Sequence, residues 1–202
     1  MLRCAAVILA SQLLVYYGTR LMPARPPHML ATRLDDAIGA APAWITIYFL
    51  AFADWMGCIL AILAERRALA RRFTLAYVLA MVMSGVIFVF YPCTMVRPEV
   101  PGSDIFSVLL RLLYRIDAPT HLFPSLHVLI TYLCWRGIMG CRRLPKWFAR
   151  VQLGILICVC LSILFVKQHV LADIPSAILV GELALQLSRV LPDEAEISKE
   201  KE

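Results

Sequence analysis

The sequence predicts an all-α membrane protein: a bundle of six transmembrane helices with both termini in the cytoplasm. Two observations lead to this fold class. First, 61% of the 202 residues are hydrophobic and only 17% are charged, with a mean hydropathy of +0.76, whereas a soluble domain is about half apolar and about one quarter charged. Second, the apolar residues are gathered into six stretches that are separated by polar connectors.

The six apolar stretches have the lengths expected of membrane spans. Because the hydrocarbon interior offers backbone groups no partner except each other, each stretch is predicted to be helical. The stretches cover residues 4–17, 44–64, 73–91, 122–139, 151–166 and 170–190. At about 20 residues per span, a single transmembrane domain occupies residues 1–191, and a charged cytoplasmic tail follows at 192–202.

Two of the short connectors are strongly basic. Arg66, Arg67, Arg71 and Arg72 lie between the second and third stretches, and residues 142–150 between the fourth and fifth carry four more Lys and Arg residues. Basic connectors favour the cytoplasmic side. The three other connectors, 19–43, 92–121 and 167–169, are therefore predicted on the outer face of the cell membrane.

The net charge of +6 fits this topology better than nucleic-acid binding, because the basic residues occur in short clusters between apolar stretches. The seven cysteines are scattered and form no CxxC pair, so we expect small buried hydrophobic side chains rather than a zinc site or a disulfide framework. The bilayer is the expected partner, and nucleic acid is not.

Charged residues inside the predicted spans need partners, since an unpaired charge in lipid costs several kcal/mol. Asp54 and Glu182 are such residues, and Arg136 and Glu182 are predicted at a similar depth, where they are able to pair. Two further histidines, His28 and His121, lie in outer connectors and are expected on the surface, with a minor substrate-binding role open for His121.

Five polar residues cluster at one predicted membrane face: Arg97, Ser125, His127, His169 and Asp173. Hydropathy and basic connectors alone place the span ends, so this convergence is an independent observation. Ionisable residues at span ends usually anchor the helix. Their coincidence at one face instead indicates a functional site.

The residue types suit phosphoryl transfer through a histidine. Because His169 and Asp173 are four positions apart and would share one face of a helix, Asp173 would hold one imidazole nitrogen of His169 and leave the other free to react. Pro124 suits a first helical turn, which would place Ser125 where helix N–H groups bind anions. Arg97 offers a phosphate-binding fork, and His127 is able to protonate a leaving oxygen.

Zinc is the competing interpretation of the histidines, with His127, His169 and Asp173 as possible ligands. The spacing differs from that of metalloproteases, and Arg97 would repel a cation. We therefore expect neither a metal nor another cofactor.

Three stretches carry a family resemblance: YPCTMVRP at residues 91–98, FPSLHV at 123–128 and SILFVKQHVLAD at 162–173. In order and placement they resemble the signature motifs of the type 2 phosphatidic acid phosphatase superfamily. The resemblance implies a six-helix membrane bundle that cleaves lipid phosphates through a phosphohistidine. It also implies that His169 is the nucleophile, Asp173 its orienting carboxylate and His127 the general acid, with Ser125 and Arg97 binding phosphate.

The chain departs from the family pattern at two cations. Phe90 stands where the first motif usually has a lysine, and Ile163 where the third usually has an arginine. Lys167 is predicted to replace one of them as a phosphate-binding residue. The LFVKQH wording resembles a compact bacterial branch, and the FPSLH wording also resembles the inositol phosphorylceramide and sphingomyelin synthases.

The expected function is a lipid phosphate phosphatase whose substrate is phosphatidic acid, phosphatidylglycerol phosphate or a polyprenyl phosphate or pyrophosphate. A phosphotransferase that passes the group to an alcohol uses the same residues, and loop 101–121 would decide between water and alcohol. Short loops favour the phosphatase. A six-helix transporter is the third class, but its polar residues would lie near the membrane midplane.

Overall fold

The computed structural model describes residues 1–22 and 25–190, and the predicted charged tail at 192–202 lies outside them. The described part of the chain is mostly helical. Its α-helices are α1 (Leu2–Gly18), α2 (Arg33–Ala37), α3 (Ile45–Leu63), α4 (Arg67–Phe90), α5 (Ile105–Ile116), α6 (Leu126–Met139), α7 (Lys146–Phe165) and α8 (Asp173–Val190). Two short strands, β1 (His28–Met29) and β2 (Cys93–Thr94), pair in parallel.

Four helical segments are long and apolar enough to cross a membrane: Leu2–Leu21, Pro42–Leu63, Arg67–Phe90 and Lys146–Phe165. The other two predicted spans form shorter or more polar helices. α6 is apolar but has only 14 residues, and α8 contains Asp173, Glu182 and Arg189. The observed helices are thus compatible with the predicted all-α class and with a membrane location.

The helix bounds differ from the predicted connectors in two places. α4 begins at Arg67, so most of the basic residues assigned to the second connector belong to a helix, which arginine, alanine and leucine all favour. In the outer connector 92–121, α5 forms a further helix that the span analysis did not predict. Its N-cap is Asp104, whose carboxylate accepts from the backbone N–H groups of Phe106 and Ser107.

Close contact between α6 and α8 brings the starts of these two helices together. A Cβ atom on Gly181 would lie 2.8 Å from Cδ1 of Tyr132, so the two helices approach as closely as a glycine allows. At the same end of the bundle, the backbone N–H of Ser125 points to the carbonyl oxygen of Asp173 at 3.4 Å.

Asp54, Arg136 and Glu182, the charged residues predicted inside the spans to need partners, have them. Arg136 donates to the carboxylate of Glu182, which also accepts from the Tyr132 hydroxyl at 2.8 Å. The carboxylate of Asp54 accepts from the Gln152 amide at 2.6 Å. These contacts supply the pairing that a charge in an apolar environment requires.

Candidate active site

His169 lies in the loop between α7 and α8, with its side chain only 7% exposed. Its Nδ1 atom is 3.0 Å from Oδ2 of Asp173 and 3.0 Å from the carbonyl oxygen of Leu122. A carboxylate and a carbonyl only accept hydrogen bonds, so Nδ1 carries the proton. The lone pair of the neutral ring is therefore on Nε2, which makes no hydrogen bond with any described residue.

The contact between His169 and Asp173 arises differently from the sequence prediction. α8 begins at Asp173, so His169 is outside the helix and the expected shared helical face was wrong. Oδ2 of Asp173 instead accepts from both the His169 ring and the backbone N–H of Val170, at 3.0 Å. An aspartate near the start of a helix commonly accepts hydrogen bonds from N–H groups of neighbouring residues. Here the Asp173 carboxylate accepts from the loop that precedes the helix and so holds this loop against the start of α8.

Ser125 is the N-cap of α6 and is completely buried. Its hydroxyl oxygen accepts from the backbone N–H of Val128 at 3.4 Å. Pro124 therefore precedes the cap instead of occupying the first helical turn, which corrects the predicted position. The hydroxyl hydrogen of Ser125 stays free to donate to an anion, and phosphate binding by this residue stays a prediction.

His127 occupies the first turn of α6 among aromatic rings. Its ring centroid is 4.3 Å from that of Tyr48, 5.4 Å from that of Trp55 and 5.7 Å from that of His169. Both ring nitrogens are buried, and neither has a hydrogen-bond partner in the parts of the chain at 1–22 and 25–190. Buried polar groups without hydrogen-bond partners are rare and destabilising, so His127 is a candidate to form a hydrogen bond with a ligand.

A small cavity of about 30 Å³ lies between the two histidines. It has room for about one water molecule, so a tetrahedral phosphate enters only if lining side chains move. The other lining residues include Gln168, His121 and Asp117. Sequence reasoning missed Gln168 and Asp117, although Gln168 adjoins His169 in the chain, and it placed His121 on the surface.

His121 is half-buried in the structure, with its ring 5.0 Å from the Phe88 ring. Burial lowers the pKa of this imidazole, as does the Arg20 guanidinium, against the opposing effect of Asp117. His121 also lines a second cavity, of about 410 Å³, together with Arg20 and Arg25. Cationic side chains therefore border the histidine cavity on one side.

Arg97 reaches the site through Gln168. The guanidinium donates to the Gln168 amide oxygen and, at 2.5 Å, to the carbonyl oxygen of Asp117. It also lies over the Tyr114 ring, 4.7 Å from the centroid. Burial lowers the pKa of Arg97, and the nearby Asp117 carboxylate opposes this effect; an arginine nevertheless stays charged in proteins. The structure thus places Arg97 against Gln168, which lines the histidine cavity together with His169.

Lys167 was predicted to bind phosphate, but its side chain contacts a backbone carbonyl group in the structure. Its ammonium donates to the backbone carbonyl of Asp35 at 2.7 Å, and Lys167 is not among the residues that line the cavity between the histidines. The structure therefore does not bring Lys167 to the histidines. Of the two positions that lack the family cation, Ile163 is fully buried and Phe90 is 62% exposed.

The connector between α1 and α3 holds the His169 loop in place. Asp35 of α2 accepts from the backbone N–H of Leu171 at 2.7 Å and from the hydroxyl and N–H of Thr32. The backbone N–H of Ala41 donates to the carbonyl oxygen of Phe165 at 2.9 Å. We call residues 32–41 the strap, because they bind both ends of the loop that carries His169.

Among the described residues, no three His, Cys, Asp or Glu side chains are grouped so that they could hold a metal ion. Metal independence stays a prediction. The arrangement offers an oriented imidazole, whose Nε2 makes no hydrogen bond with the described residues, beside a second imidazole that has no partner among them. Such a pair is able to attack phosphorus with one ring and exchange a proton with the other.

Comparison with known proteins adds no relative: no protein-family model, no curated protein and no solved structure matches the chain.

Proposed function

We propose that this protein is a membrane-embedded lipid phosphate phosphatase that works through a phosphohistidine on His169. One observation carries the proposal: both partners of His169 Nδ1 are acceptors at 3.0 Å, which leaves the Nε2 lone pair free beside His127. The resemblance of the three motifs to the type 2 phosphatidic acid phosphatase superfamily supports the same assignment of roles.

In the proposed reaction, Nε2 of His169 attacks the phosphorus atom of a phosphate monoester. The bond between phosphorus and the lipid oxygen breaks, and His127 gives a proton to that oxygen so that it leaves as an alcohol. Water then attacks the phosphohistidine, loses a proton to His127, and releases inorganic phosphate. Asp173 stabilises the positive charge that develops on the His169 ring, as carboxylates paired with histidine do in other hydrolases.

Positive charge near the site supports an anionic substrate. Arg97 contacts Gln168 beside the nucleophile, and Arg20, Arg25 and His121 line the cavity next to the one between the histidines. Guanidinium groups match phosphate oxygens in geometry and charge. In this proposal, Arg20 and Arg25 supply the positive charge that the family motifs usually carry at the positions of Phe90 and Ile163.

The proposed membrane arrangement is a six-span bundle with both termini in the cytoplasm and the site on the outer face of the cell membrane. It is supported by the position of the basic residues relative to the site. α4 and α7 begin with Arg67 and Lys146, and both helices end near the loops that carry Arg97 and His169. The basic ends thus lie opposite the site, and basic ends favour the cytoplasm.

A phosphotransferase of the inositol phosphorylceramide or sphingomyelin synthase type is the alternative, and one observation favours it. Asp117 lines the histidine cavity, and one of its carboxylate oxygens accepts from Tyr16 and Arg20 at 2.7 and 2.8 Å. A carboxylate repels a phosphate dianion but accepts a hydrogen bond from an alcohol. Asp117 would therefore suit an alcohol acceptor.

The test is phosphate release by purified protein from phosphatidic acid, phosphatidylglycerol phosphate, and polyprenyl phosphate and pyrophosphate. Each assay is run with and without inositol and with excess EDTA, and His169→Ala serves as the inactive control. Hydrolysis of at least one lipid in EDTA is expected. Transfer to the alcohol without phosphate release would establish the phosphotransferase, and activity that requires an added divalent ion would overturn the phosphohistidine mechanism.

A further inference from the structure

An aromatic cavity of about 310 Å³ lies directly beside His127, between α1, α3, α5 and α6. Its walls are mostly apolar, and on α3 they consist of the side chains of Tyr48, Phe49, Phe52 and Trp55. We call this space the aromatic cavity. It shares Tyr16, Asp117, Leu126 and His127 with the small cavity between the histidines, so a ligand in one space would be continuous with a ligand in the other.

The cavity is also open toward the side of the bundle. α1 packs loosely at this point, since its only buried side chains are those of Ile8 and Val15. Leu13 and Phe52 line the cavity and yet are 47% and 46% exposed. Because these helices are among those apolar enough to cross a membrane, the opening would face hydrocarbon rather than water.

We propose that the aromatic cavity binds the hydrocarbon chain of the lipid substrate, next to the phosphate. This inference rests on the proposed function and adds the part of the substrate that is recognised. The polar end of the ligand would reach His127 and His169, and its chain would leave sideways between α1 and α3. At about 310 Å³ the space is at the small end of ligand pockets, and it accommodates one chain; the second chain of a diacyl lipid would stay in the bilayer.

The chemistry of the walls supports a hydrocarbon occupant. The rings of Phe52 and Trp55 are 4.8 Å apart, and the Trp55 indole N–H is already bonded to the Thr131 hydroxyl at 2.8 Å. The ring faces therefore offer apolar contact without an unsatisfied donor. The two ionisable groups Asp117 and His127 lie on the part of the wall shared with the histidine cavity, which suits the polar end of an amphipathic ligand. Gln12 lines the remaining wall, and its amide oxygen already accepts from the Tyr77 hydroxyl at 2.7 Å.

The first experiment uses two substrates with the same reacting group, a long-chain phosphatidic acid and the soluble p-nitrophenyl phosphate. Leu13→Trp adds bulk to the cavity wall, and Leu14→Trp is the matched control because Leu14 is an exposed neighbour on α1 that does not line the cavity. Leu13→Trp is expected to lower kcat/KM for the lipid by about tenfold, the effect of roughly two methylene groups losing their contacts. The ratio of kcat/KM for the lipid to kcat/KM for p-nitrophenyl phosphate should therefore fall in Leu13→Trp, and Leu14→Trp should leave both values unchanged.

A second experiment does not depend on turnover. A lipid phosphate with a diazirine in its acyl chain is photolysed with the full-length protein in lipid nanodiscs, and labelled residues are identified by mass spectrometry. The label is expected on Phe49, Phe52 or Trp55, with competition by unlabelled lipid phosphate and loss of label in Leu13→Trp. Diacylglycerol carrying the same diazirine is the phosphate-free control.

The outcomes separate the two proposals. If a lipid phosphate labels the aromatic cavity but the protein hydrolyses none of the substrates, the proposed phosphatase function is wrong and the proposed binding site stands. Hydrolysis of the lipid that Leu13→Trp leaves unchanged, or label spread over the outward faces of α7 as with diacylglycerol, would overturn the chain-binding site and keep the phosphatase.

Discussion

Asp173 holds the imidazole of His169 from the first residue of a helix to which His169 does not belong. Oδ2 of Asp173 accepts from Nδ1 of His169 and from the backbone N–H of Val170, each at 3.0 Å. The same oxygen therefore sets both the tautomer of the ring and the fold of the loop that carries it. Any change at Asp173 acts on the nucleophile in two ways.

The first prediction concerns this double contact. Asp173→Asn keeps the side-chain shape but removes the charge that stabilises a positive His169 ring, and it leaves the carbonyl oxygen of Leu122 as the acceptor that still favours the proton on Nδ1. We expect kcat to fall by between about 10² and 10⁴, with a small change in KM. Steady-state kinetics on the best lipid substrate measures this. Asp36→Asn is the matched control, because Asp36 is exposed on α2; equal effects of both substitutions would contradict the orienting role.

The second prediction separates the two histidines. His169→Ala removes the covalent route, so activity should fall to background, whereas His127→Ala impairs only proton transfer. His127→Ala should therefore be milder with p-nitrophenyl phosphate, whose leaving group needs little protonation. Acid-quenched reactions with labelled substrate should show an acid-labile phosphoprotein in the wild type and none in His169→Ala. Substantial turnover by His169→Ala would mean that the nucleophile is elsewhere.

The third prediction distinguishes Arg97 from Lys167. Arg97→Ala should lower kcat/KM by an amount that corresponds to about 1.5–3 kcal/mol of activation free energy, the contribution of one charge-assisted hydrogen bond. Lys167→Ala should act mainly on stability, because the Lys167 ammonium binds the carbonyl oxygen of Asp35. Kinetics and the Tm of both variants check this. A raised KM with an unchanged Tm for Lys167→Ala, partly restored in Lys167→Arg, would instead return Lys167 to the phosphate site.

The fourth prediction concerns the strap and pH. Burial raises the pKa of the Asp35 carboxyl, but hydrogen bonds from Leu171 and Thr32 outweigh this effect and hold the pKa below its ordinary value of 3.8. A carboxylate with a lowered folded-state pKa stabilises the protein above its unfolded-state pKa and loses that contribution as the pH falls through the folded-state pKa. The stabilising contribution of Asp35 is therefore complete at neutral pH.

Asp35→Asn should accordingly lower the free energy of unfolding at pH 7 by roughly 1–3 kcal/mol. The difference from the wild type should shrink as the pH drops below 3.8. Thermal unfolding of both proteins from pH 7 to pH 3 measures the difference, and Asp36→Asn is again the control. A difference that is constant over this range would show that the Asp35 charge does not hold the strap.

The fifth prediction tests the topology. In a cysteine-free background, Ser103→Cys should react with an impermeant thiol reagent in intact cells, and Arg142→Cys should react only after lysis. Both positions are exposed, so access depends on the side of the membrane. The opposite pattern would place the His169 site in the cytoplasm.

The helical class and the convergence of the site could be predicted from the sequence, because both depend on local properties. Apolar stretches are helical wherever lipid replaces water. Residues that end or begin such stretches, such as Arg97, Ser125 and Asp173, then meet at one end of the bundle. The pairing of Arg136 with Glu182 followed in the same way, since a charge in an apolar environment needs a nearby partner.

The details of the site depended on contacts between distant parts of the chain. Lys167 was predicted at the phosphate from its spacing to His169, but the strap supplies a carbonyl acceptor at Asp35, 132 positions away. Asp117, which directly follows α5, and Gln168, which precedes His169, both line the histidine cavity, and no local pattern marks either residue.

By itself, the sequence determined that the six apolar stretches are largely helical and which reactive residues lie at one end of the bundle, since hydropathy and helix length act over a few turns of chain. Only the tertiary structure decided how His169 is oriented, which cations lie near it and which space adjoins it. Those features depend on the carbonyl oxygen of Leu122 that contacts the His169 ring, on the strap that binds the His169 loop, and on the cavity between α1 and α3. Each brings together residues that are far apart in the chain, and a sequence pattern does not give the distance between such residues.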